Sequence, residues 1–361
     1  MSNSLKDLYN LEYIKTLSST LCEVEETFPQ DHFIQKVFST DYEKKELKQR
    51  MRHITQCLHL FLPSSYLKTI SILEQTFVRM KGDFYLVNII FQDYVEMHGL
   101  ADFETSMRAL ETFTQGSTSE FAIRAFILND EERTMEVMKE WAKSENEEVR
   151  RLASEGCRSR LPWAVALPSF KKDPTKVLEI LEILKDDKSK YVQKSVANNL
   201  NDISKDNKEM VKALLKEWIG QTKTRDWILK HGSRTLLKQG DKDVLACFGF
   251  KNVENISVVN FKADEIVRLE EELRFEFELL SENALGKLRV EFSLEFVRLR
   301  GRSSIKVFKI SEGDYRCSKR LFVKKFPFKT ISSRKYYEGE HTLSIIVNGE
   351  CMVSKKFMLK A

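Results

Sequence analysis

The sequence predicts a mainly α protein, an α-solenoid of helical pairs over residues 1–250 followed by a small all-β sandwich over residues 255–361. Three observations carry this. Apolar residues recur at helical spacing through the first part, successive helices pair at a repeated interval, and after about residue 250 the period changes to the alternation of strands. A chain of 361 residues has room for two domains of ordinary size. With 13 glycines, 6 prolines and 42% hydrophobic residues it reads as helix-rich and globular, not disordered.

Amphipathic helices are read over 44–60, 65–79, 104–114, 120–128, 131–143, 146–158, 174–185, 190–203, 208–219 and 224–238. An apolar residue near the end of one helix is followed eight residues later by one opening the next: Trp141 and Val149, Leu184 and Val192, Ile219 and Trp227. These pairs are spaced by about 43 and 35 residues, the range of HEAT or armadillo units. Stacked pairs bury one face per helix and leave a concave surface of second helices.

The second helix of the first pair lies in NEEVRRLASEGCRSRLPW, residues 146–163. Val149, Leu152, Ala153 and Gly156 form its packing stripe, and Arg151, Ser154, Glu155 and Arg158 form a polar one. Two readings fit a glutamate set between arginines: a solvated face with local ion pairs, or a face that holds phosphates and presents one charge between them. The next second helix packs through Val192, Val196, Leu200 and Ile203 and turns Lys190, Lys194, Asn198, Asn201 and Asp202 outward. The third turns out Lys230, Arg234 and Lys238. A basic concave groove is the expectation.

Strand alternation appears in Leu273, Phe275, Phe277 and Leu279, in Val290, Phe292, Leu294 and Phe296, and in runs at 304–310, 320–328, 341–347 and 351–359. Asn348-Gly349 between the last two runs signals a tight hairpin. About seven strands suggest an immunoglobulin-like sandwich, without the paired cysteines and core tryptophan of antibody domains. Arg298, Arg300 and Arg302 form a basic site in its VRLRGRSS segment, or a solvated strand face.

Charge is unevenly placed: residues 1–139 carry roughly −6 and the remainder roughly +11 of a net +5. That asymmetry suggests a polyanionic partner for the second part, although an acidic substrate or a membrane surface also fits. Six dispersed cysteines without a CxxC pair, and six histidines, give no disulfide framework and no metal site. No apolar run of transmembrane length and no signal-peptide pattern is present, so a cytoplasmic protein is expected. GxSxG, Walker A, HExxH and GxGxxG strings are absent, which removes support for serine hydrolase, P-loop, zincin and Rossmann readings.

Three further residues carry two readings each. Ser117 and Glu120 have capping-box spacing, yet a glutamate in a first helical turn can also serve as a base or cation stabiliser. Trp163, placed in a turn by Pro162, is a packing residue or a face for stacking on a base or sugar. Asn201 and Asp202 are solvated, cap the following turn, or belong to a site.

Glu120 in TSEFAIR, Glu155 in VRRLASEGCRSRLPW and Asp202 in NNLNDISKDN are the residues at which the chain resembles the HEAT-like-repeat DNA alkylation-repair glycosylases, AlkC more closely than AlkD. The likeness covers roughly residues 30–250, and the β-rich tail is similar to that of AlkC proteins with an immunoglobulin-like domain. Ala125 and Ser159 depart from it, standing where many members have proline.

The resemblance implies a cofactor-independent, monofunctional glycosylase that removes 3-methyladenine and 3-methylcytosine from double-stranded DNA. It implies a monomer that is nucleoid-associated when bound. It assigns Glu120 to the water, Glu155 to the sugar cation, Trp163 to the lesion nucleotide and Asp202 to support of the same site. Arg150, Arg151, Arg158, Arg160, Lys194, Lys230 and Arg234 become candidate phosphate contacts, and the tail a DNA clamp. The competing reading is a non-catalytic scaffold that binds DNA or a protein partner; an RNA-directed enzyme is a third. The acids discriminate, since carboxylates in a basic groove repel phosphate and serve no pure binder.

Overall fold

The computed structural model describes residues 4–39, 41–80, 82, 84–298, 303–330 and 335–361. Its α-helices are α1 (Leu11–Val24), α2 (Gln30–Val37), α3 (Leu47–Phe61), α4 (Tyr66–Met80), α5 (Ile89–His98), α6 (Phe103–Thr114), α7 (Ile123–Asn129), α8 (Glu131–Trp141), α9 (Glu147–Gly156), α10 (Pro168–Lys172), α11 (Thr175–Leu184), α12 (Lys190–Ile203), α13 (Lys208–Trp218), α14 (Lys223–Gly232), α15 (Arg234–Lys238) and α16 (Lys242–Cys247). The strands are β1 (Ile256–Ala263), β2 (Ile266–Arg268), β3 (Glu272–Ser281), β4 (Gly286–Val297), β5 (Ser303–Tyr315), β6 (Lys319–Pro327), β7 (Gly339–Val347) and β8 (Glu350–Lys360). The chain divides into two compact units, Met1–Lys208 with Gly220–Gly232, and Glu209–Ile219 with Ser233–Ala361.

In the first unit, α8 with α9 and α11 with α12 form successive antiparallel pairs. α9, α12 and α14 lie side by side as one layer, and α8 packs on α11 as the other. Capping sets where the second helices begin. The Asn146 side chain accepts from the backbone N–H groups of Glu148 and Val149, and Ser189 accepts from that of Tyr191. Close approach sets where they meet: a Cβ at Gly156 would stand 2.6 Å from Ile123 Cγ2 of α7.

The predicted helix over 224–238 is two, broken at buried Ser233 just after Gly232, where the backbone of α14 comes close to Leu200 and Ala197 of α12. Glycine has low helix propensity, and the lack of a side chain there is what admits the neighbouring helix.

In the second unit, sheets ordered β1-β3-β6 and β2-β8-β7-β4-β5 pack face to face. Leu273, Phe275, Phe277 and Leu279 of β3 meet the inward side of β4, with the Phe275 and Phe292 rings 5.1 Å apart. The structure adds two strands to those read from alternation, β1 and the short β2 that pairs parallel to β8. β1 was hidden because its register shifts between Val259 and Lys262, where Asn260 takes φ 56°, and a bulge breaks the two-residue period.

The β7–β8 hairpin turns through Asn348 and Gly349 at φ 46° and 81°, the left-handed pair its sequence predicts. Asn348 Nδ2 donates to the Lys251 carbonyl, and the Gly349 backbone lies against Gly240. A Cβ at Gly349 would sit 2.6 Å from Gly240 Cα and 2.8 Å from Leu245 Cδ1. Gly349→Ala is therefore expected to cost about 1–3 kcal/mol, from positive φ and overpacking together. Urea unfolding followed by near-ultraviolet circular dichroism measures it, and an unchanged midpoint contradicts so tight an approach.

Candidate active site

Three elements bring a chain of alternating charges together. The turn before α7 supplies Glu120, α9 and its C-terminal end supply Arg151, Glu155 and Arg158, and the last turn of α12 supplies Asp202. Arg151 Nη2 lies 2.5 Å from Glu120 Oε2 and 3.8 Å from Glu155 Oε1. Arg158 Nη1 donates to Glu155 Oε1 at 2.5 Å, and its Nε donates to Asp202 Oδ2 at 2.8 Å. Lys205 Nζ closes the row on Asp202 Oδ1 at 2.8 Å. Neutral groups complete the shell: Ser195 Oγ donates to Glu155 Oε2 and accepts from Ser154 Oγ, both at 2.7 Å. Arg151 Nη1 donates to Thr118 Oγ1, and its guanidinium lies over the Tyr191 ring.

The row is withdrawn from water, with Glu155 6% and Asp202 2% exposed. Here the expected outward stripe is corrected. Ser154, Glu155, Arg158, Asn201 and Asp202 are buried because α12 stacks against the polar flank of α9, where Asn199 Nδ2 also donates to the Ser154 carbonyl. Burial works against the charges of Arg151 and Arg158. The neighbouring carboxylates outweigh it and hold both guanidinium pKa values above their ordinary range.

The capping-box reading of Ser117 and Glu120 is also corrected. α7 begins at Ile123, three residues beyond Glu120, and Glu120 instead faces Arg151. Trp163 is not a packing residue: it is 66% exposed, and its backbone takes φ 64°. A left-handed conformation costs a bulky residue about 1–2 kcal/mol, so the surrounding structure must impose it.

The restraint on Trp163 comes from residues that the sequence reading passed over. Fully buried Arg124 of α7 donates from Nη1 to the carbonyls of Gly156 and Arg158 at 2.9 and 2.7 Å, and from Nε to that of Val165 at 2.7 Å. Burial lowers its pKa to about 10. Lys48 Nζ of α3 donates to the Trp163 carbonyl and lies over the Phe121 ring. The signal for Arg124 was one cation inside the apolar run FAIRAFIL; nothing local marked Lys48.

The other basic candidates are dispersed. Arg150 is bound to Asp187, with Nε to Oδ2 at 2.6 Å, and Arg160 to Asp206, with Nη2 to Oδ1 at 2.6 Å. Lys194 is exposed, Lys230 is half-buried on α14, and Arg234 is half-buried in the second unit. Trp227, read as a packing residue, is exposed and stacks on His231 with ring centroids 5.2 Å apart, beneath Lys190. α14 packs through Ile228 and Leu229 instead, one position out of the predicted phase. In the sandwich, Arg298 Nε donates to Ser304 Oγ; Arg300 and Arg302 lie outside the described residues.

Residues 113–236, which include every member of the acid row, match the family of DNA alkylation repair enzymes. Residues 257–361 match the C-terminal Ig-like domain of the uncharacterised protein YhaZ. The YhaZ protein of Bacillus subtilis (strain 168) is 43% identical over 357 residues, 98% of this chain and 99% of that protein. The solved structure of Pseudomonas fluorescens alkylpurine DNA glycosylase AlkC, bound to DNA containing an abasic site analog, is 34% identical. The match covers 99% of this chain and 100% of that one, with a TM-score of 0.94. This chain belongs to the AlkC family. Its form is the AlkC form with a C-terminal immunoglobulin-like domain, and the fold expected from the sequence is the AlkC fold.

Arg158 joins two buried acids on different helices. Arg158→Met should cost about 3–5 kcal/mol, because two buried carboxyl groups, Glu155 and Asp202, lose their shared partner. Replacing exposed Lys194 by alanine should stay within about 0.5 kcal/mol. Equal urea midpoints for the two variants would show that the row does not depend on Arg158.

Proposed function

We propose that this AlkC protein is a monofunctional DNA glycosylase that acts as a monomer on cationic N3-alkylated bases, 3-methyladenine and 3-methylcytosine. The observation that carries the reading is the convergence of Glu120, Glu155 and Asp202 in one row, beside the segment that holds an exposed tryptophan in a strained conformation. N3 alkylation leaves a positive charge on the base. The bond from C1′ to the base nitrogen then breaks with its electron pair going to the base, which departs neutral and needs no general acid. An oxocarbenium-like sugar remains, and a water oxygen adds to C1′ and gives up one proton.

Carboxylates suit both needs. Glu155 is the group to face the developing sugar cation, and its position is fixed by Arg158 and Ser195. Glu120, nearer the surface, is the group to orient the water and take its proton. Asp202 supports Glu155 through their common arginine, and Trp163 offers an aromatic face to the lesion nucleotide. The row is compensated internally, Glu120, Glu155 and Asp202 against Arg151, Arg158 and Lys205, so it repels phosphate less than bare acids would. Lys194 and Lys230, with Arg150, Arg160 and Arg234, are the proposed phosphate contacts, with the exposed lysine the least encumbered by acids; Arg151 and Arg158, expected from the sequence to join them, are bound to Glu120, Glu155 and Asp202 and hold those acids instead. We assign catalysis and DNA binding to residues 1–250 and a clamping role on the duplex to residues 255–361.

The complete pairing of the acids is also what a structural network has, and it favours the scaffold reading in which the protein binds DNA or a protein without chemistry. Incubation with methylated duplex DNA separates the two: free 3-methyladenine and 3-methylcytosine should appear, and no release of either above background leaves the scaffold. Glu155→Gln should bind DNA normally and lose roughly 10²–10³-fold in single-turnover base release. Wild-type rates in that variant would remove Glu155 from the chemistry. Lys194→Ala should weaken binding evenly across sequences and lower the slope of log K against log salt by about 1, and an unaltered slope would take Lys194 off the phosphate path.

A further inference from the structure

Trp163 sits on a segment without regular secondary structure between α9 and α10, yet its backbone is held in a conformation that a bulky side chain avoids. Four carbonyls of residues 156–165 are claimed by cations from elsewhere in the first unit: Gly156, Arg158 and Val165 by Arg124, and Trp163 by Lys48. Arg124 is fully buried, and its Nε and Nη1 donate to backbone carbonyls, not to a carboxylate. A desolvated guanidinium spent on backbone carbonyls is costly unless the position of that backbone matters.

Two of those carbonyls lie at the end of α9, which carries Glu155, and the third lies two residues beyond Trp163. One planar group thus ties the acid-bearing helix end to both sides of the tryptophan segment. We propose that Arg124 is a positioning residue that fixes Trp163 relative to the carboxylate row, with Lys48 as an outer clip, so that the aromatic face and the acids meet the same nucleotide. This rests on the glycosylase reading for its consequence in catalysis, but not for its structural content.

The fork matters more than the charge. A lysine at 124 keeps the positive charge and cannot reach carbonyls on two sides at once. Arg124→Lys is therefore expected to lose roughly 10- to 100-fold in single-turnover base release from methylated duplex DNA. Its affinity for a duplex containing an abasic-site analogue should stay within about threefold, the corresponding free-energy change being under about 0.7 kcal/mol.

Position is read separately by fluorine NMR of protein labelled with 5-fluorotryptophan, which gives one signal for each of the four tryptophans; Trp163→Phe assigns the signal of interest. In Arg124→Lys the Trp163 signal should shift or broaden while the other three hold. A Trp163 signal that does not move, base release within threefold of wild type with that signal displaced, or equal displacement of all four signals overturns the assignment.

Should Arg124→Lys fail to fold, Lys48→Met at the exposed clip serves in its place, with a smaller displacement of the Trp163 signal expected and none contradicting the proposal. Failure of the wild-type protein to release any base would sink the glycosylase reading alone, and the fluorine signals would still decide whether Arg124 places Trp163.

Discussion

A guanidinium buried between two carboxylates on different helices is the interaction on which the rest of the first unit depends. Arg158, two residues beyond the end of α9, binds Glu155 on that helix and Asp202 on α12. None of the three could be kept charged away from water alone, since an unpaired buried charge costs several kcal/mol even after relaxation. The two helices must therefore meet in one register. Ser154, Ser195 and Asn199 suit that meeting, being small or flat and able to satisfy the remaining polar atoms across the interface.

From that register follows the division of α9 into two buried flanks. The apolar flank ends in Gly156, pressed against Ile123 and Met138, and the polar flank lies against α12. A helix enclosed in this way cannot rotate to bring its carboxylates to a substrate. Rigidity suits the proposed reaction, in which the leaving group is already charged and the protein has only to place a negative charge and a water. The exposed partner in the arrangement is Trp163, and its strained backbone is tolerated because cations on two other helices hold the carbonyls around it.

Two of the arginines that the sequence suggested for a basic groove have acid partners: half-buried Arg150 with Asp187 and exposed Arg160 with Asp206. What the α12 and α14 surface offers instead is aromatic and cationic together, with Lys194 exposed and Lys190 above the Trp227–His231 stack. Such a surface suits contact with a nucleic acid through stacking and charge. The second unit follows other rules, with phenylalanines from two sheets filling its core and an Asn-Gly turn seated against Gly240.

The sequence by itself determined many of the elements, because periodicity and turn chemistry are local: α12 runs from Lys190 to Ile203 as its spacing predicts, and Asn348-Gly349 adopts the turn its residues require. It also singled out Glu120, Glu155, Asp202 and Trp163, through short strings whose resemblance needed no fold. It could not say which flank of α9 is covered. A polar stripe at helical spacing looks the same whether it faces water or a second polar stripe some 44 residues further along the chain. Arg124, Lys48 and the left-handed backbone of Trp163 were decided only by tertiary structure. Helical periodicity is written into neighbouring residues, whereas the partner of a buried charge and the restraint on a strained turn come from helices that meet only when the chain is folded.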